Sequence, residues 1–331
     1  MKGRLLALDS RNHPSRVSGL VRRTCTTGRH IEQSPCRNTT HTTHSNMSES
    51  MEYSLGAMLL YGMADFVYKR GAAAGAEPHH FLMVQTWFFT PCALLYGLAS
   101  GTLVFNLAAL WGAAAGVCAV VGYYNFAHSL RSGSVSTNAT IFRLSFAVTV
   151  ALAVLVLGEP LTAPKLAGLA LVAVAVWLLL AAPGTGAGDP RHESRSSLVR
   201  VLVATVMVGI LGFTYKVGLR GGSTPIALVV TQGFVAVTIA TCFTAYVDRR
   251  IRPSRAAWSH APVAAVLLVT AFTFLAKGLE SGQASVVVPV AQMGFIVTAI
   301  MGFILLREPF TARKGAGLAV ALAALACLAM G

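Results

Sequence analysis

Apolar residues along this chain gather into blocks of about twenty, the length that crosses a bilayer core as an α-helix. Ten such blocks can be read, over 53–70, 80–99, 106–129, 134–157, 161–182, 198–219, 225–247, 259–279, 284–306 and 310–330. They are rich in Ala, Gly, Leu and Val, and small residues let membrane helices approach closely. The first and third blocks are the weakest of the set, because each contains polar residues. The pattern predicts an all-α integral membrane protein with ten transmembrane helices.

The pattern also repeats itself. Gly158-Glu159-Pro160-Leu161-Thr162-Ala163-Pro164-Lys165 returns 149 positions later as Arg307-Glu308-Pro309-Phe310-Thr311-Ala312-Arg313-Lys314. Gly62-x-x-x-Phe66-x-Tyr68-Lys69-x-Gly71 returns 147 positions later as Gly209-x-x-x-Phe213-x-Tyr215-Lys216-x-Gly218, and Pro78 and Gln85 return as Pro225 and Gln232 at that same offset. Each half then holds five blocks. Five is odd, so the second half enters the membrane from the opposite side and the repeats are inverted in topology. Inverted repeats are the usual scaffold for alternating access around a central site. The organisation expected is a disordered tail or upstream extension over 1–46, a first five-helix repeat over 53–182, a linker over 183–197 and a second repeat over 198–331.

Composition supports the membrane reading. Of the 331 residues 55% are apolar and only 11% charged, where soluble domains carry about a quarter charged residues. The net charge of +14 does not indicate nucleic acid, because no basic stripe with interleaved aromatics is present. Residues 1–46 hold eight Lys/Arg against Asp9 and Glu32, and most of the other basic residues are spread over loops, where they meet anionic lipid. The loops opposite the termini hold thirteen Lys/Arg and the terminus-side loops only Lys165, Lys216, Arg220 and Lys277, which by itself favours termini outside the cytoplasm.

The six cysteines form no C-x-x-C pair and four sit inside apolar blocks, so neither a disulfide framework nor a zinc site is implied. The glycine-rich stretch Pro183–Pro190 follows no strand and precedes no Gly-Lys-Ser/Thr. It reads as a linker and not as a phosphate loop. The sequence therefore implies no metal and no cofactor.

Two five-block repeats, each with Gly/Arg-Glu-Pro-Leu/Phe-Thr between its fourth and fifth blocks, resemble the EamA-type drug/metabolite transporter superfamily. Pro289 in the ninth block and the Tyr-Lys pairs that end blocks one and six also fit. The resemblance spans 53–331 and is specific for fold and broad activity. It implies a transporter of amino acids, drugs or metabolites, with both termini in the cytoplasm, against the loop count. The chain departs from the pattern in two places. Tyr61 stands where small multidrug members carry a glutamate eight residues before the lysine, and Thr140 stands where Pro289 stands in the second repeat.

The polar residues inside the blocks are the candidates for chemistry. Arg143 lies near the middle of its block, where an arginine costs about 2.5–3.5 kcal/mol on insertion scales, so it needs a partner. Its repeat mate is Gln292, and Thr140 and Pro289 precede them by three residues on the same helical face. Together with Asn138, Gln85 and Gln232 these residues are the expected substrate-binding set. A guanidinium there suits a carboxylate or phosphate, and the competing roles for Arg143 are an ion pair with Asp65 or the capping of buried carbonyls. Asp65 is a candidate proton-coupling carboxylate, with pairing to Lys69 four residues on as the structural alternative. Lys69 and Lys216 are expected to reach the membrane interface as anchors. Glu159-Pro160 and Glu308-Pro309 read as structural turns in which Thr162 and Thr311 cap the next helix and the glutamates face water.

The expected function is secondary transport of a small anionic or zwitterionic metabolite by alternating access. The alternatives are a lipid carrier or flippase on the same fold and an integral-membrane enzyme. Against the enzyme, the blocks hold no paired carboxylates and no nucleophile elbow. The expected partners are a small-molecule substrate and membrane lipids, with a homodimer open, and the expected location is a bacterial cytoplasmic membrane.

Overall fold

The computed structural model describes residues 39–132, 141–180, 195–248, 251–306 and 312–330. Among them the secondary structure is helical: α1 (Thr39–Ala73), α2 (Pro78–Ser100), α3 (Leu110–Ser132), α4 (Ser145–Leu157), α5 (Ala163–Leu180), α6 (Arg195–Arg220), α7 (Pro225–Val247), α8 (Arg255–Ser281), α9 (Ala284–Gln292), α10 (Phe295–Leu306) and α11 (Ala312–Ala329). Residues 1–38, much of the linker and Glu308-Pro309 lie outside the described residues. The first helix starts at Thr39, upstream of the apolar block that begins at 53.

Local sequence sets these boundaries. Pro78 and Pro225 open α2 and α7, a position where the missing amide costs nothing. Gly101 and Gly158 close α2 and α4 in the left-handed region, at φ 64° and 66°, which glycine enters without a Cβ clash. Asn106 accepts the Ala109 amide at 3.0 Å and so caps the 3₁₀ turn Leu107–Ala109 that leads into α3. Ser254 accepts the Ala257 amide at 3.2 Å and starts α8.

Among the described residues, five helices are long and apolar enough to cross a membrane: Pro78–Ser100, Leu107–Ser129, Ser196–Arg220, Pro225–Val247 and Arg255–Ser281. Four shorter apolar segments, Ile141–Leu157, Ala163–Leu178, Ala284–Thr298 and Gly315–Ala329, accompany them. Large apolar side chains such as Leu95, Leu155, Leu166, Leu202 and Leu322 point outward, while Gln85, Gln232, Lys165 and Lys216 are buried. That distribution suits an apolar solvent around the bundle.

The two repeats interlock by exchange. Ser197 in α6 donates to the Ser129 carbonyl in α3 at 3.0 Å, and Ser50 in α1 donates to the Gly278 carbonyl in α8 at 3.0 Å. Thr149 donates to the Gly209 carbonyl at 2.7 Å, and its mate Thr298 donates to the Gly62 carbonyl at 3.0 Å. The motif glycines permit this approach. A Cβ on Gly62 would fall 2.4 Å from the Gly294 carbonyl oxygen, and one on Gly209 would fall 2.7 Å from the Ser145 carbonyl oxygen. When residue i meets j and the mates of i and j also meet, the two units relate as across a twofold axis.

The same repeat position interrupts the helix in each half. The Leu144 amide bonds the Ile141 carbonyl and the Ala147 amide bonds the Leu144 carbonyl, at 3.0 and 2.9 Å. One repeat later, Met293 bonds Val290 and Ile296 bonds Met293, at 3.1 and 2.9 Å. These i→i−3 bonds tighten the turn. Pro289 lies four residues before the second break, where it removes an amide. The first break forms with Thr140 at the equivalent position, so proline is not its cause.

Two sequence expectations about the polar helix ends need correcting. Glu159 does not face water: it is 4% exposed. Its carboxylate accepts the Ala284 and Ser285 amides, both at 2.9 Å, at the start of α9. Lys216 does not reach out to the interface. It is buried, and its ammonium donates to the Leu279 carbonyl at 2.6 Å and to the Gly282 carbonyl at the end of α8. The reason is the same in both cases. Helix ends inside the bundle leave carbonyls and amides that water cannot satisfy, and these charged groups satisfy them. Lys165 is also buried, bonded to Gln283 and to the Pro160 carbonyl at 3.1 Å. Thr162 takes the Lys165 amide at a long 3.5 Å, a weak form of the expected cap.

Candidate functional site

Helices α2, α3, α7 and α8 surround a narrow cleft of about 20 Å³. Its polar lining comes from Gln85, Thr86, Tyr123 and Gln232, and its apolar lining includes Phe89 and Phe272. Gln85 and Gln232 are repeat mates, and Tyr123 and Phe272 occupy equivalent positions 149 residues apart. The cleft therefore lies where the two repeats face each other, the place where such scaffolds hold their ligands.

Each half builds its share of the lining in the same way. Tyr68 donates its hydroxyl to Gln85, and Tyr215 donates to Gln232. The Tyr68 ring lies 6.5 Å from Tyr123, and the Tyr215 ring 6.1 Å from Phe272. With its oxygen held by tyrosine, each glutamine amide keeps its NH₂ group as a donor. The amide orientation follows from that network. The cleft is thus amphipathic, with aromatic faces and amide donors.

Arg143 and Asp65 form an ion pair. Arg143 sits in the turn of helix just before the break at Leu144, and its side chain is 11% exposed. Asp65 lies in α1, one turn before Tyr68, and keeps 30% of its side chain exposed. Phe142, next to Arg143, packs its ring 6.1 Å from Tyr123, and neither Arg143 nor Asp65 is part of the cleft lining. The second repeat has Gly212 in place of Asp65 and Gln292 in place of Arg143. The charge is confined to one half.

The expected binding residues therefore divide. Gln85 and Gln232 come together in the cleft, and Arg143 meets Asp65. Gln292 ends α9 at the second break and is partly buried. Thr140 and Asn138 lie outside the described residues. Tyr68, Tyr215 and Phe272 were not expected as lining or partners. A signal existed: Tyr and Gln are 17 residues apart in both repeats.

The family model described as "EamA-like transporter family" matches residues 51–181 and again 195–330. Among solved structures, one described as "Crystal structure of protein" has a TM-score of 0.71 at 14% identity, covering 85% of this chain and 96% of that one. At that identity the likeness speaks for the fold. No protein among the curated ones matches this chain.

Proposed function

The chain belongs to the EamA-like transporter family, an integral multi-pass membrane family, and from that premise we propose secondary transport of a small anionic or zwitterionic metabolite by alternating access. Ten spans in two inverted five-helix repeats, set in a bacterial cytoplasmic membrane, form the scaffold of this reading. One observation carries the substrate charge: a guanidinium deep in the bundle whose carboxylate partner, Asp65, is itself partly exposed. A substrate carboxylate or phosphate can accept from the Arg143 guanidinium in place of Asp65. The two therefore compete, and a proton on Asp65 favours the substrate. The amide donors of Gln85 and Gln232 and the ring of Tyr123 supply neutral contacts for the rest of a small molecule.

The test is a thermal-shift screen of purified protein against amino acids, organic acids, sugar phosphates and cationic drugs. An anionic or zwitterionic class should raise the melting temperature, and Arg143→Gln should abolish that shift. Stabilisation by cations alone would sink the proposal, as would an Arg143→Gln variant that transports a demonstrated substrate like the wild type.

A further inference from the structure

At the end of the bundle where α1 finishes, the start of α2 meets the finish of α7. His79 and His80 stand in the first turn of α2, and Asp248 follows the last residue of α7 as its cap. The His80 Nε2 atom lies 3.1 Å from Asp248 Oδ2, and the two imidazole rings are 4.3 Å apart. One nitrogen from each histidine and a carboxylate oxygen all fall within 4.8 Å of one another. The backbone beneath them is tied independently of the three side chains. Thr244 is fully buried and donates to the His79 carbonyl at 3.2 Å, while the Asp248 amide donates to the Thr244 carbonyl at 2.8 Å.

We propose that His79, His80 and Asp248 form a binding site for a divalent first-row transition metal of the Zn²⁺ type, bridging the two repeats. Two imidazoles and one carboxylate are the donor set such ions select, whereas Ca²⁺ and Mg²⁺ select oxygen cages. Zinc–ligand bonds of about 2.0–2.2 Å place tetrahedral donors roughly 3.5 Å apart. The His80–Asp248 separation already meets that spacing, and His79 needs a modest ring rotation to join. His80 is buried, and the Asp248 side chain is 38% exposed, which leaves a fourth position open to water or to another donor. Asp248 also stands at a helix C-terminus, where a carboxylate opposes the partial negative charge of the last carbonyls. A cation held there relieves both. The simpler arrangement, a His80–Asp248 hydrogen bond with His79 packed beside it, uses no metal, and experiment separates the two.

Zinc titration of the tag-free, metal-stripped full chain in detergent, followed by calorimetry and by thermal unfolding, provides the test. One zinc per chain should bind and raise the melting temperature, with Mg²⁺ and Ca²⁺ inert. His79→Ala and Asp248→Asn should each weaken zinc binding by about tenfold or more. The zinc-dependent rise is read for each variant against its own metal-free melting temperature. Absence of zinc binding, or zinc binding of equal affinity in both variants, overturns the proposal. Equal affinity would assign the metal to other histidines or cysteines of the chain. The readout is binding, so it stands apart from the transport reading.

Discussion

Arg143 and Asp65 meet inside the helix bundle, and only one of the two repeats carries the pair. Removing one member leaves the other charged and short of solvent, which in a fully buried pair costs about 3–5 kcal/mol. Partial exposure of Asp65 reduces this to about 2 kcal/mol for Arg143→Gln or Asp65→Asn alone. The double variant removes both charges and should recover much of the lost melting temperature. Thermal unfolding of the four proteins in one detergent checks this. Additive losses would show that the two side chains do not depend on each other.

The paired glycines give a prediction that tests the repeat relation directly. Gly62→Ala and Gly209→Ala each drive a methyl group into backbone of the other repeat, an overpacking worth about 1–3 kcal/mol. The two losses should be similar in size. A large loss at one glycine and none at the other would mean that the two contacts are not equivalent.

The turn between α8 and α9 is held from both sides, by Lys216 on the α8 carbonyls and by Glu159 on the α9 amides. Lys216→Met leaves two carbonyls without that donor and should destabilise by about 1–3 kcal/mol. Glu159→Gln keeps an acceptor but loses the charge at the helix start, a smaller cost of about 1 kcal/mol. Hydrogen exchange at the Ala284 and Ser285 amides should quicken in both variants. Unchanged exchange at those amides would remove the clamp from consideration.

Much of this architecture is legible in the sequence because duplication copies residue types at a constant offset. Gly62 and Gly209, Tyr68 and Tyr215, and Gln85 and Gln232 announce equivalent positions before any coordinates exist. Offsets do not say which partner each residue takes. Asp65 had two plausible cations by sequence, Lys69 at helical spacing and Arg143 far along the chain, and the packing of α1 brings it to Arg143. Lys216 lies near a helix end, so its sequence suggests an interfacial anchor. Its burial depends on the last turn of α8, where Leu279 offers its carbonyl 63 residues later. His79, His80 and Asp248 form no metal motif for the same reason: the cluster is assembled by helix ends 168 residues apart.

The exchanged contacts also set the order in which the molecule can be completed. The carbonyl of Gly62 receives its hydroxyl from Thr298, 236 residues later. At synthesis rates of about 5–20 residues per second, that partner emerges roughly 10–50 s after the glycine. Through that interval the Gly62 face of α1 waits without the partner that covers it, open to any neighbouring helix that offers a ridge. The first repeat is thus an unfinished half for most of the time the ribosome spends on this chain. A truncation anywhere before Thr298 should leave a membrane fragment that associates with strangers.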